Sequence, residues 1–371
     1  MALRILMITS YGLEGRYFRD IARGFSKTEN KLAVLSLSGA PSPDWVNEFS
    51  VIDFTKKRFR KPGLRSNFFD TFRAVKEFSP DVIQTHLFLG GVVGIFISKI
   101  TGIPVILTRH HIDEHKQVGS RIHFWLDKFS ARAATQVVVC SVAAKNWLVK
   151  EEGIPDQKVT VINQGFYFEN LTPSISEIEK AKVDLGFSEG KFNIICISRY
   201  SKTKGQEYLI HAIDQLKSEG FTVTLTFVGP GDKTWLQNMV SKCGLIDTVQ
   251  LLGQRIDVAA CIAAADLVVH PSLVDSFSQL VIEAQAVGGP LIATDIAAAR
   301  EQIINGETGI IIPPRNSQAI VDAIKVFYAD SELSEKFCVA ARIHVRRAFP
   351  LERMVSEELE CVLRIIQETR R

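Results

Sequence analysis

Short apolar runs rich in Val and Ile alternate with longer helical patterns along almost all of the 371 residues, and this rhythm limits the chain to one class of fold. It predicts βαβ units, and so α/β architecture with parallel sheets and right-handed crossovers. Strands are expected at 4–9, 32–37, 82–85, 104–108, 136–140 and 159–162, with helices between them, for example over 67–78 and 119–133. The stretch 168–190 breaks the rhythm with polar residues, Pro173 and a charged helical pattern. A second series follows, at 192–198, 222–228, 248–251, 267–270, 290–293 and 309–312. The length exceeds one ordinary α/β core. The expected division is a first domain over 1–170, a linker over 171–190, a second domain over 191–348 and an amphipathic closing helix over 349–371. That helix is expected to pack back toward the first domain. Two Rossmann-like, doubly wound domains facing each other across a cleft would bind ligands beyond the carboxyl ends of their strands.

Composition removes several function classes. The 46% hydrophobic and 23% charged residues are those of a globular protein, and a net charge of +3 does not mark a polyanion binder. The charge is uneven, because residues 1–170 hold 23 Lys and Arg against 16 Asp and Glu. Such a half meets an anionic acceptor or membrane surface, or is simply a solvated basic face. The six cysteines are scattered without CxxC or His/Cys metal spacing, which suits reduced thiols in a cytosolic core. The first apolar run is too short for a signal peptide. The longest, 87–97, contains three glycines and is about half of what spans a bilayer. The expectation is a cytoplasmic chain.

Chemistry-bearing residues concentrate at the strand ends of the second half. In ICISRYSKTKG, Arg199 and Lys204 stand five residues apart beyond a strand and beside a helix start. This suits a diphosphate and the negative charge of a departing nucleotide, although two solvated loop cations would look the same. FVGPGD, with Gly229, and LLGQRID, with Arg255, are weaker strand-to-loop signals. HPSLVDSFSQLVIEAQAVGGP is stronger. Asp275 precedes a helix whose first amides, at Phe277 and Ser278, would welcome an anion or sugar oxygen, and Glu283 follows eight residues after Asp275. The plainer alternative makes Asp275 a helix cap and Glu283 an exposed helix residue.

In this order, these segments resemble glycosyltransferase family 4 (group 1), whose members have the two-domain GT-B fold. The resemblance runs through Arg199/Lys204, Val228–Gly231, Leu252–Gly253, Asp275-x7-Glu283 and EAQAVGGP to EQIINGETG. It implies that Arg199 and Lys204 hold the diphosphate of a UDP- or GDP-sugar and that Glu283 accepts from the ribose hydroxyls. It further implies that Asp275 contacts the transferred sugar. Two departures bear on that sugar: Asp275 stands where the family usually has Glu, and Ser278 where it has Gly. In the first half, Gly15 lies in the turn after strand one, and His110, rather than His111, falls at the family's active-site histidine. His86 matches a further recurrent histidine, and any of these could equally be structural.

The implied activity is retaining hexosyl transfer (an EC 2.4 reaction) to a glycan or lipid-linked acceptor in polysaccharide or glycolipid biosynthesis. Alternatives are a GT-B nucleotide-sugar 2-epimerase and a non-catalytic donor-binding protein. No DxD occurs, so no catalytic metal and no cofactor is expected, and composition gives no reason to expect nucleic acid. Lys56, Lys57, Arg58, Arg60, Lys61 and Arg65, among several phenylalanines, are the candidate contact with anionic membrane or a charged acceptor.

Overall fold

The computed structural model describes residues 2–56, 63–110, 121–296 and 298–370. Two compact units result, one of Met1–Phe166 with Phe349–Arg371 and the other of Tyr167–Ala348.

The first unit is built on β1 (Arg4–Thr9), β2 (Lys31–Ser36), β3 (Ile52–Asp53), β4 (Val82–His86), β5 (Val105–Arg109), β6 (Gln136–Val139) and β7 (Val159–Val161). They form one parallel sheet in the order β3-β2-β1-β4-β5-β6-β7. Apart from the half-buried Arg4 that opens β1, its central strands are buried along their length, as parallel strands covered by helices on both faces must be. Among the described residues of this unit, the sequence pattern missed only the two-residue edge strand β3. The glycine-rich tract forms the helix Leu87–Thr101, where a Cβ on Gly94 would collide with the Thr85 side chain. Its glycines therefore let the helix settle on the sheet. Among the described residues, no helix is long and apolar enough to cross a membrane.

The helix Leu351–Arg370 belongs to this first unit and packs on the helix Arg16–Ser26. The approach is close enough that a Cβ at Gly24 would strike Val355.

The second unit carries β8 (Phe192–Ile197), β9 (Val223–Val228), β10 (Val249–Leu251), β11 (Leu267–His270), β12 (Leu291–Thr294) and β13 (Ile310–Ile312). Their order is β10-β9-β8-β11-β12-β13, again all parallel. Both sheets are doubly wound, reversing direction between β1 and β4 and between β8 and β11.

Residues 171–190, expected as a linker, are built into this second unit. Their helix, Ile175–Asp184, starts on a Ser174–Glu177 capping box. It buries Ala181, and Leu185 just beyond it, against Ala260 and Val281. The charged look of the stretch came from the helix's outer face.

Candidate active site

In a doubly wound sheet the crevice opens where the strand order reverses. In the second unit that point lies between β8, which leads into Arg199, and β11, which ends at His270. Backbone contacts hold the two following loops together. The Leu273 amide donates to the Thr203 carbonyl at 2.8 Å. Gly205 (φ 63) turns against Pro271 so tightly that a Cβ there would collide with the Pro271 carbonyl oxygen. Gly229 and Gly231 likewise let the loop after β9 lie on the backbone of Ser198 and Tyr200. The Gly229 glycine is therefore required for loop packing, whatever else it touches.

This stitching brings Lys204 and Asp275 together across 71 positions of sequence, with Lys204 Nζ donating to Asp275 Oδ2 at 2.9 Å. His270 Nε2 stands 3.6 Å from the same oxygen. Burial would raise the Asp275 carboxyl, but neighbouring His270 and the Lys204 ammonium outweigh it and hold it down at about 2. His270 is only 4% exposed, and neither ring nitrogen has a hydrogen-bond partner among the described residues. Arg199 is exposed beside this pair in sequence, and its side chain has no ion-pair partner among the described residues. An anion entering the crevice would therefore meet the Lys204 ammonium already held by a carboxylate.

His270, Asp275, Phe277 and Ser278 line a small pocket of about 10 Å³ with Thr294 and Gln302. Ser278 precedes the helix Gln279–Val287 at φ −92, a conformation open to any L-residue, so the missing glycine causes no backbone strain. Its amide is already engaged. It donates to Gln302 Oε1 at 3.2 Å, while Gln302 Nε2 donates back to the Ser278 carbonyl at 2.9 Å. Glu283 is buried at 8% exposure, which removes the alternative of an exposed helix residue. Arg255 is paired with two carboxylates. Its guanidinium lies between Asp257 and Asp184, at 2.8 Å and 2.9 Å, and these two carboxylates raise its pKa. These pairs tie the loop after β10 to the Asp184 end of the helix Ile175–Asp184.

In the first unit the strand order reverses between β1 and β4, and His86 closes β4. Its Nδ1 lies 3.0 Å from His110 Nε2, with the two rings stacked. Leu87, next in sequence, takes the left-handed conformation at φ 65, a strained junction of the kind found at working sites. Burial first, then the facing His110, drives the His86 pKa well below an imidazole's usual value, so this ring stays neutral. Tyr17 packs edge-on against both imidazoles. Its hydroxyl donates to Glu358 Oε1 at 3.1 Å, and Gln84 Nε2 donates to Glu358 Oε2 at 3.0 Å. Burial pushes the Glu358 carboxyl up to about 7 against the opposing pull of those two donors. Gly15 precedes the helix Arg16–Ser26 in extended conformation, and a Cβ there would meet only ordinary contact. His111 and the basic residues Lys57, Arg58, Arg60 and Lys61 lie outside the described residues.

Residues 177–344 match the family of glycosyl transferases group 1, and residues 15–169 match Glycosyltransferase Family 4. This chain belongs to the family 4 (group 1) glycosyltransferases. Among its relatives is the D-inositol 3-phosphate glycosyltransferase of Pseudarthrobacter chlorophenolicus, 25% identical over 72% of this chain and 68% of that protein. Another is the Escherichia coli UDP-Gal:alpha-D-GlcNAc-diphosphoundecaprenol alpha-1,3-galactosyltransferase, 23% identical over 68% of this chain and 67% of that one. The fold matches that of Anabaena Alr3699/HepE in complex with UDP-glucose, with a TM-score of 0.82 and 22% identity over 97% of this chain and 99% of that one. The fold is accordingly GT-B.

Sequence reading of this glycosyltransferase missed several residues around its two crevices. His270 was legible as the last residue of a strand at a reversal of strand order. Glu358 had a clearer signal, because it interrupts the apolar stripe of Leu351, Met354, Val355, Cys361 and Ile365 on an otherwise regular amphipathic helix. Gln302 and Tyr17 carried no signal, since polar residues on helices are ordinary.

Proposed function

We propose that this glycosyltransferase takes a sugar from a UDP- or GDP-sugar bound at the β8/β11 crevice and transfers it, with retention of configuration, to a glycan or lipid-linked acceptor. The observation that carries the reading is the contact of Lys204 with Asp275 at the reversal of strand order, beside the buried His270. Arg199 and Lys204 would neutralise the diphosphate as it departs, which is where the charge develops. Glu283, buried on the helix that follows, would accept from the ribose hydroxyls. Asp275 would face the sugar, and its pairing with Lys204 couples sugar to phosphate recognition. The Phe277 and Ser278 loop would close over both, with the Ser278 amide available only if Gln302 releases it.

No protein nucleophile is needed when the leaving phosphate itself serves as base. No metal or other cofactor is invoked, because Arg199 and Lys204 would supply the positive charge that balances the diphosphate. A lipid-linked acceptor is supported by the diphosphoundecaprenol named for the E. coli relative and by the basic first half, including Lys56 and Arg65. The product would then enter polysaccharide or glycolipid biosynthesis at the membrane's inner face.

A thermal-shift comparison of UDP, GDP and ADP tests the donor site. One nucleotide should stabilise the chain by about 2.7 kcal/mol at a hundred times its Kd. Arg199→Ala and Glu283→Ala should each remove that shift, and unchanged affinity in both would sink the assignment. Incubation with nucleotide sugars and acceptor then separates transfer from epimerised donor or binding without turnover.

A further inference from the structure

The first unit exposes an apolar surface that no part of the transfer chemistry uses. On the helix Arg121–Ala133, Ile122, Trp125, Leu126 and Phe129 fall at i, i+3, i+4 and i+7, which is one stripe. A stripe with that spacing ordinarily faces a core. These four are instead 73%, 64%, 38% and 54% exposed. The opposite side of the helix supplies the contacts to the core, through Ala131 and Ala134 just beyond its end.

The stripe continues onto neighbouring helices. Phe88, at the start of Leu87–Thr101, stacks on His123, and that helix exposes Phe96 and Ile100. Phe96 packs edge-on against Phe68 of the helix Leu64–Phe78, which exposes Leu64 and Phe69. Three adjoining helices thus present large apolar side chains together, whereas isolated exposed hydrophobics would need no explanation.

The charge around this surface selects its occupant. Arg65, Lys76, Lys99 and Arg132 are exposed on the same three helices, and Lys128 lies beside the stripe, its ammonium 6.0 Å from the centre of the Trp125 ring. Their acidic residues are Asp70, Glu77 and Asp127. Asp70 is buried, and Asp127 is turned inward onto Arg109 at 2.7 Å. Glu77 stands 3.8 Å from Arg73. Burial, and then the charge of Lys99, lower the pKa of Lys158, whose ammonium donates to the Arg132 and Ala134 carbonyls. Positive charge is therefore concentrated beside the apolar stripe. A second copy of this chain would bring like charges together, whereas an anionic lipid surface complements them and accepts Trp and Phe at headgroup depth.

We propose that the helices Leu64–Phe78, Leu87–Thr101 and Arg121–Ala133 form a docking face for anionic bilayers, with Trp125 and Phe129 as its inserted anchors. The face explains how a chain without a crossing helix among its described residues could meet a lipid-linked acceptor. It rests on the acceptor part of the proposed function and not on the donor site. It also shifts the expected contact from the basic stretch 56–65 alone to a surface in which cations flank inserted aromatics.

Co-sedimentation of the full chain with vesicles tests the proposal, comparing phosphatidylcholine alone with phosphatidylcholine containing phosphatidylglycerol. Binding should favour the anionic vesicles and weaken with salt. Trp125→Ser with Phe129→Ser should lower the partition coefficient by at least about tenfold. Ile343→Ser, a comparably exposed isoleucine (66%) of the second unit, should leave it unchanged. No preference for anionic vesicles, or equal binding by the double variant, would overturn the proposal. So would a dimer in light scattering that the double variant abolishes without any vesicle binding, because a second copy would then be the occupant. Nucleotide-induced thermal shifts of the double variant should match the wild type, which keeps failure of this face distinct from failure of the donor site.

Discussion

Glu358→Gln should stabilise the protein at alkaline pH and not at acid pH. Glu358 is a carboxyl 4% exposed inside the first unit, with Tyr17 and Gln84 as its hydrogen-bond donors. Burial raises its pKa from 4.5 to about 7. A raised carboxyl binds its proton more tightly in the folded state. Its contribution is complete below pH 4.5 and is lost as pH rises through 7. The difference is on the order of 3 kcal/mol at pH 8, at 1.36 kcal/mol per unit. The amide keeps the shape of the neutral acid and cannot ionise. Its NH2 can be met by Gln84 Oε1, which has no partner in the native arrangement. For a unit of this size each kcal/mol moves Tm by roughly 2–4 °C, so Glu358→Gln should raise the first unit's Tm by roughly 6–12 °C at pH 8 and little at pH 5. Calorimetry at several pH values resolves this, with Glu358→Ala as the variant that loses its contacts at every pH. If Glu358→Gln lowered Tm equally at pH 5 and pH 8, the hydrogen bonds to an ionised carboxylate would outweigh its desolvation, and the reasoning would be wrong.

Asp275 should give the opposite slope. Its carboxyl sits at about 2 against an ordinary 3.8, so its stabilisation, about 2 kcal/mol, is present above pH 3.8 and lost as pH falls through 2. Asp275→Asn should flatten that acid limb in an acid-unfolding titration, and an unchanged limb would place the stabilisation elsewhere. Gly205→Ala should cost on the order of 1–3 kcal/mol and weaken nucleotide binding, because a methyl group there separates the Thr203 and Pro271 loops that hold Lys204 beside Asp275. Denaturant unfolding and nucleotide titration of one preparation would show both losses or contradict the link. His110→Ala should lower kcat by about 10²-fold with the nucleotide-induced shift intact; full activity would make the His86–His110 pair structural. Transfer should survive EDTA, and a loss restored by Mg2+ would reinstate a metal.

The ordered motifs of the second half were legible because each lies in a strand-end loop, where backbone geometry restricts which residues fit. Arg199, Lys204 and Asp275 could be picked out this way, and so could the two parallel sheets, whose covered strands must be apolar along their length. Arg255 shows the limit. Its position after a strand looked suited to a ligand, yet Asp184 lies 71 residues away in sequence, and no local pattern reveals that such a carboxylate completes an ion pair.

Local periodicity and turn chemistry are properties of short segments, so the sequence by itself determined the α/β class, the family and the positions of the strand ends. Partnership across the fold depends on which distant segments the sheet order brings together. Only the tertiary structure decided that Lys204 rests on Asp275, that Gln302 occupies the Ser278 amide, and that Glu358 joins Tyr17 and Gln84 beside the paired histidines. The same holds for the stripe on Arg121–Ala133. Such spacing ordinarily marks a buried face, but whether anything covers a face depends on the neighbouring elements, and here the described residues leave it open.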